Sequence, residues 1–230
     1  MSNKPIINRG KLKELYLKGK IAYLSKDNFK KEIVLDNLSC FAITGTGRCG
    51  TAFLAHALNT SPSYSVIHEY DYDYLIAEKS GYIDIVKRRF RDHYGEVNSH
   101  LRFIFSKLKV PKKAVIIRHP HEIILSAMNR HEEWIHGNDF VRYIDRLNGS
   151  LHILHNEIKK GTYLIRFEKM ISDINVIIKL CEYLNINDID FSRIALDEKV
   201  NKNKKIRYTT LSKFDEREIS KLNWFIKRYY

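Results

Sequence analysis

The sequence predicts an α/β domain with a mainly parallel sheet flanked by helices. Three observations carry that expectation. Short apolar runs of strand length alternate with segments whose apolar residues recur at helical spacing. A glycine-rich loop, Gly45-Thr46-Gly47-Arg48-Cys49-Gly50, separates the first such run from the first such helix. No internal repeat, low-complexity tract or Pro/Gly/Ser linker interrupts the 230 residues, so a single domain is expected.

Residues 1–38 form a basic, weakly patterned segment, in which Lys20–Leu24 and Lys31–Leu35 have the composition of short strands. The α/β domain is expected over 39–230. Cys40–Thr44 is apolar, short and closed by glycines, as a buried strand would be. Leu54, Ala57 and Leu58 then follow helical spacing until Asn59 and Pro62 stop the helix. Tyr64–Glu69 reads as a second strand, and Lys112–Pro120 as a third, ended by its proline. Pro120 suits the first position of a helix with Ile123, Ile124, Ala127 and Met128 on one stripe. Thr162–Glu168 reads as a fourth strand. From Ser172 or Asp173, the residues Ile174, Ile177, Ile178, Cys181 and Leu184 mark a strongly amphipathic helix, and Ile219, Leu222, Ile226 and Tyr229 repeat the pattern in a last one.

Composition narrows the partners. A hydrophobic content of 44% with 12% aromatics excludes a disordered chain, and no apolar run approaches the ~20 residues that span a bilayer. The N-terminus lacks the apolar stretch of a signal peptide. Cys40, Cys49 and Cys181 have no pairable or metal-like spacing, which implies reduced thiols and a soluble, cytoplasmic protein. Forty Lys and Arg against 27 Asp and Glu give a net charge of +13, suited to an anionic partner such as nucleic acid, acidic lipid or glycan, or a phosphorylated nucleotide.

The loop is the most informative feature. Backbone N–H groups of a glycine-rich turn at a helix N-terminus cradle an anion. The nucleoside-triphosphatase motif G-x-x-x-x-G-K-[ST] requires a lysine after its second glycine to reach the outer phosphates. Gly45 and Gly50 keep that spacing, but Thr51 takes the lysine's place and the cation sits inside the loop, at Arg48. Further on, Arg118 ends a strand, Pro120 follows, and Ser126 lies eight residues after Arg118 on the next helix. There an arginine would supply a charge-assisted grip on an anion and the serine a hydroxyl. His68 and Glu69 stand at the end of the second strand, on the sheet edge to which the loop belongs.

Together these segments resemble the sulfotransferases that use 3′-phosphoadenosine 5′-phosphosulfate (PAPS). Arg48, Cys49, Gly50 and Thr51 match in order the family's 5′-phosphosulfate loop, and Arg118, Pro120 and Ser126 its 3′-phosphate motif. The resemblance runs from about Cys40 to the C-terminus and implies a P-loop NTPase-like sulfotransferase fold. It implies donor contacts from Gly47, Arg48, Cys49, Gly50, Thr51, Ala52, Arg118 and Ser126. One of the basic residues after Lys199, with Lys202 as the candidate, would close over the nucleotide. A donor without a β/γ-phosphate pair needs no magnesium, which accounts for the absent lysine, and no metal is expected.

For the catalytic groups, the resemblance implies Arg48 beside the leaving phosphate and Glu69 as general base, with His68 orienting it or binding the acceptor. The setting Val66-Ile67-His68-Glu69 is similar to the glutamate-type members that act on carbohydrates, glycolipids or proteins. Phe167-Glu168 and Leu184-Asn185-Ile186 match a later strand and helix of the family more loosely. Four tyrosines after the base, Tyr70, Tyr72, Tyr74 and Tyr82, suit core packing or an acceptor surface. The acceptor and the oligomeric state stay open. Three other readings do too: an ATP- and magnesium-dependent P-loop kinase, a non-catalytic basic nucleic-acid-binding domain, and a sulfotransferase fold without activity. No specific nucleic-acid partner is expected, because the basic residues are scattered and not interleaved with aromatics on one element.

Overall fold

The computed structural model describes residues 33–34, 39–68, 93–130, 138–196 and 216–230. Among them, five strands form a parallel sheet: β2 (Phe41–Gly45), β3 (Ser65–His68), β4 (Tyr94–Val97), β6 (Lys112–Ile117) and β7 (Tyr163–Arg166). Their spatial order is β3-β4-β2-β6-β7, so β2 is central and has β4 and β6 as neighbours. Phe41 stands opposite Gly95 on one side and Lys112 on the other. β1 (Ile33–Val34) and β5 (Leu108–Lys109) pair separately, also in parallel.

Period-two alternation in β2 and β6 builds two cores, one on each face of the sheet. Cys40, Ala42, Val115 and Ile117 face one way, against the 3₁₀ turn Ser99–Phe103 and the helices α2 (Pro120–Met128), α3 (Asn138–Lys159), α7 (Glu216–Ser220) and α8 (Asn223–Tyr229). Phe41, Ile43, Ala114 and Ile116 face the other, against α1 (Thr51–Leu58), α4 (Phe167–Ser172), α5 (Ile174–Leu184) and α6 (Phe191–Leu196). The expected α/β class, with a mainly parallel sheet between helical layers, is the one observed.

Several expected elements have different bounds or company. β4 was not among the expected strands, because Tyr94-Gly95-Glu96-Val97 has neither an apolar run nor clean alternation. Its residues are nevertheless all buried. Glu96 is only 2% exposed and accepts hydrogen bonds from Tyr94 Oη (3.2 Å) and Asn98 Nδ2 (2.9 Å), which makes its burial tolerable. Gly95 is required by space: a Cβ there would lie 2.0 Å from the ring of Phe41 on β2. The 22-residue α3 was also not expected, since its first turns carry mixed charge. Phe167 and Glu168, expected at the end of a strand, instead open α4. The last expected helix is two, α7 and α8, broken near Lys221-Leu222, and Phe225 is buried where Ile226 was expected. α5 begins as expected, with the Asp173 carboxylate accepting from Asn175 N–H at 2.9 Å.

α8 is docked on α3 through polar as well as apolar contacts. Trp224 Nε1 donates to Asn148 Oδ1 (2.8 Å), His152 stacks on the Trp224 ring at 4.1 Å, and His155 Nδ1 shares a 2.6 Å hydrogen bond with Tyr229 Oη. Burial holds the His155 pKa below its ordinary 6.5, and Lys159, Arg228 and His152 push the same way. The native protein therefore keeps His155 neutral where the unfolded chain takes up a proton. Its contribution is complete above 6.5 and is lost as the pH falls below that value. We expect the urea midpoint, followed by Trp224 fluorescence in a Trp134→Phe background, to fall between about pH 7 and about pH 5. His155→Gln should flatten that slope.

Candidate functional site at the carboxyl edge of the sheet

Parallel strands end along one edge, and the loops that leave it share a rim. β2 leaves through Thr46–Gly50 into α1, β6 through Arg118 and His119 into α2, β3 at His68, β4 through Asn98 into the 3₁₀ turn, and β7 directly into α4.

The loop after β2 reaches α1 by way of two left-handed residues, Arg48 (φ 69°) and Gly50 (φ 97°). For Gly50 the conformation is cheap, but for an arginine it is uncommon and marks a position held by its surroundings. Cys49, between them, buries its side chain fully in the core, so only its backbone serves the loop. Gly47 is exposed, and a Cβ there would meet nothing within 4 Å, which leaves the loop's mouth open. α1 begins without a side-chain cap and without an acidic residue in its first turn. Its first-turn N–H groups have no intrahelical acceptor and carry the positive end of the helix dipole. Thr51 Oγ1 shares a 3.1 Å hydrogen bond with His68 Nε2, which ties the end of β3 to the start of α1.

The two sequence motifs, 70 residues apart, converge here. Arg48 Nε donates to Ser126 Oγ at 3.3 Å, and Arg118 Nη1 donates to the Arg48 carbonyl at 3.1 Å. Arg118 also pairs with Glu122 at 3.4 Å and lies 4.7 Å over the Phe167 ring. Its buried Nε has no acceptor, and neither has the buried Thr46 Oγ1. Tyr143, on α3, lies in the field of Arg48 and Arg102: burial raises its phenol pKa and the two cations partly oppose the rise. Two guanidinium groups, an uncapped helix start and unspent donors make a rim suited to a multiply charged anion.

Of the expected site residues, Gly47, Arg48, Cys49, Gly50, Thr51, Ala52, His68, Arg118 and Ser126 lie along this rim, with Ala52 exposed and without a polar side-chain atom. Glu69, Lys202 and the four tyrosines lie outside the described residues, Glu69 directly after His68. The turn after β4 also brings His100 to this edge, a residue sequence reasoning did not single out because that strand was itself not read. Sequence reasoning also undervalued Phe167 and Glu168, whose importance depends on contacts across the fold. Among the described residues, no group of three or more His, Cys, Asp or Glu side chains is placed to hold a metal ion, and no helix is long and apolar enough to cross a membrane.

No protein-family model and no curated protein matches the chain by sequence. Among solved structures, the crystal structure of mouse sulfotransferase SULT7A1 complexed with PAP is similar, with a TM-score of 0.53 and 14% identity over 76% of this chain and 70% of that one. The chain has the sulfotransferase fold.

The loop's tightest constraint is at Gly50, where a Cβ would fall 2.2 Å from the Phe167 ring in a backbone conformation that already disfavours one. Gly50→Ala should cost at least about 1–2 kcal/mol of stability from the left-handed backbone alone. Thermal denaturation should show the loss, and Phe167→Ala in the same chain should recover part of it.

Proposed function

We propose that the protein is a sulfotransferase that transfers a sulfuryl group from PAPS to a hydroxyl of a carbohydrate, glycolipid or protein. The observation that carries this reading is the meeting of the two phosphate motifs, Arg48 on Ser126 and Arg118 on the Arg48 carbonyl. A nucleotide with phosphates at both its 5′ and 3′ positions requires two anion sites in one rim, and the unspent Arg118 Nε suits such a ligand. The similar mouse enzyme was solved with PAP.

In this reading the N-terminus of α1, Gly47, Arg48, Gly50, Thr51 and Ala52 hold the 5′ end, and Arg118 and Ser126 hold the 3′-phosphate. Lys202 comes from the basic stretch near the C-terminus to cover the nucleotide. The donor, when bound, supplies an electrophilic sulfur and a phosphate leaving group. Arg48 places a fixed positive charge where the departing phosphate gains negative charge. Glu69 accepts the acceptor hydroxyl's proton, and His68, the residue before Glu69 in sequence and tied to Thr51, steadies the end of β3. The three cysteines are buried and none is in a disulfide, and burial pushes the Cys181 thiol up to about 12. Cysteines outside disulfides support a reducing, cytoplasmic setting.

Calorimetric titration with PAP (3′-phosphoadenosine 5′-phosphate), beside ATP with magnesium, tests the donor site. Metal-independent PAP binding is expected, weakened by about 1.5–3 kcal/mol in Arg118→Ala, the scale of a charged hydrogen bond. No PAP binding, or preference for ATP with magnesium, would return the loop to the kinases. For the base, Glu69→Gln should leave PAP affinity unchanged and reduce sulfuryl transfer by about 10²–10⁴-fold. If His100→Gln has that effect instead, the base belongs to the turn after β4.

A further inference from the structure

Phe167 and Glu168 have no part in the chemistry above, yet they hold the frame of both phosphate motifs. The Phe167 ring fills the space beside Gly50 and lies beneath the Arg118 guanidinium. Glu168 divides its carboxylate between two elements. Its Oε1 accepts from the His119 backbone N–H at 2.7 Å, and its Oε2 from Tyr230 Oη at 3.1 Å.

His119 is the residue after Arg118 and the N-cap of α2, where its own side chain makes no capping hydrogen bond. The amide that follows Arg118 is thus fixed by a side chain from a neighbouring strand's end. Arg118 itself is held on three sides, by the Arg48 carbonyl, the Phe167 face and Glu122, with its buried Nε unspent. A cation restrained in this way loses little freedom when an anion arrives, which is how a supporting residue raises affinity without touching the ligand.

Tyr230 completes the support. Its ring meets His119 edge-on at 5.0 Å and lies 5.8 Å from the Arg166 guanidinium. Burial, with the adjacent Glu168 carboxylate, raises the Tyr230 pKa, so its hydroxyl stays a donor at neutral pH.

We propose that Glu168 is a positioning residue: through the His119 N–H it fixes Arg118 in the orientation that grips a ribose 3′-phosphate. The inference rests on the sulfotransferase reading and adds a residue to the support of its donor site.

The test compares PAP with adenosine 5′-monophosphate, which lacks the 3′-phosphate, on the full chain by calorimetry, with the melting temperature of each variant recorded. Glu168→Ala should weaken PAP roughly tenfold, the scale of one charged hydrogen bond, and leave the monophosphate unchanged. Glu168→Gln keeps an acceptor oxygen for His119 and should restore most of the loss. Arg118→Ala with Glu168→Ala should bind PAP no more weakly than Arg118→Ala alone, because the two act through one contact. A merely structural role would instead weaken both nucleotides alike and add to the Arg118 effect, and that result would overturn the proposal. So would unchanged PAP affinity in Glu168→Ala. If that variant does not fold, Glu168→Asp, which withdraws the carboxylate by one methylene, bears the same comparison. A wild-type chain that binds no PAP would sink the donor reading and this inference with it. A wild-type chain that prefers PAP, beside a Glu168 variant that prefers it equally, would sink the inference alone.

Discussion

The ring of Phe167 lies so close to Gly50 that no Cβ fits between them, and the rest of the site depends on that approach. It brings the end of β7 against the turn that leaves β2, two strands separated in the sheet by β6. The same ring also carries Arg118, from the end of β6. Three strand ends are therefore referenced to one aromatic side chain. Close packing of this kind transmits small displacements directly, because no void is available to absorb them. A left-handed Gly50 is the residue that permits it: any side chain would both strain the backbone and displace the ring.

On this frame the protein assembles positive charge and leaves some of it unspent. Arg48 and Arg118 approach each other through a carbonyl, a hydroxyl and the Glu122 carboxylate, itself about half exposed at the rim. Each guanidinium has oxygen partners of its own: Arg48 the Ser126 hydroxyl, and Arg118 the Arg48 carbonyl and the Glu122 carboxylate. A phosphate carries more negative charge than Glu122 and has oxygens enough to accept from both arginines, so the rim is suited to such an anion. The overall charge of +13 acts in the same direction over longer distances, raising encounter rates with anions without choosing among them.

The fold alone leaves the chemistry open, since open parallel sheets of this kind host many reactions at the same edge. The proposed donor rests on details at particular residues: an arginine inside the loop, a threonine where a triphosphatase has its lysine, and a second arginine–serine pair brought within reach of the first. The ends of β3 and β4 lie on the side of β2 away from Arg118. There His68 is tied to the loop through Thr51, and the buried Glu96–Asn98 pair steadies the strand leading to His100.

The sequence by itself determined the α/β class, the loop and the arginine–serine pair, because these depend on local patterns: apolar runs, glycine spacing and an eight-residue interval. It also determined the start of α5, where Asp173 acts on an amide two residues away. β4 was illegible, since Gly95 answers to the Phe41 ring on another strand and Glu96 to partners on either side of it. α3 was hidden by its mixed charge, because helices of that kind are stabilised by the surface they cover more than by their own composition. Only the tertiary structure decided that Phe167 and Glu168 open a helix instead of closing a strand, and that they brace residues 49 and more positions away in the chain. Contacts across such distances leave no periodic mark, so a frame built from them becomes visible only when the strands are side by side.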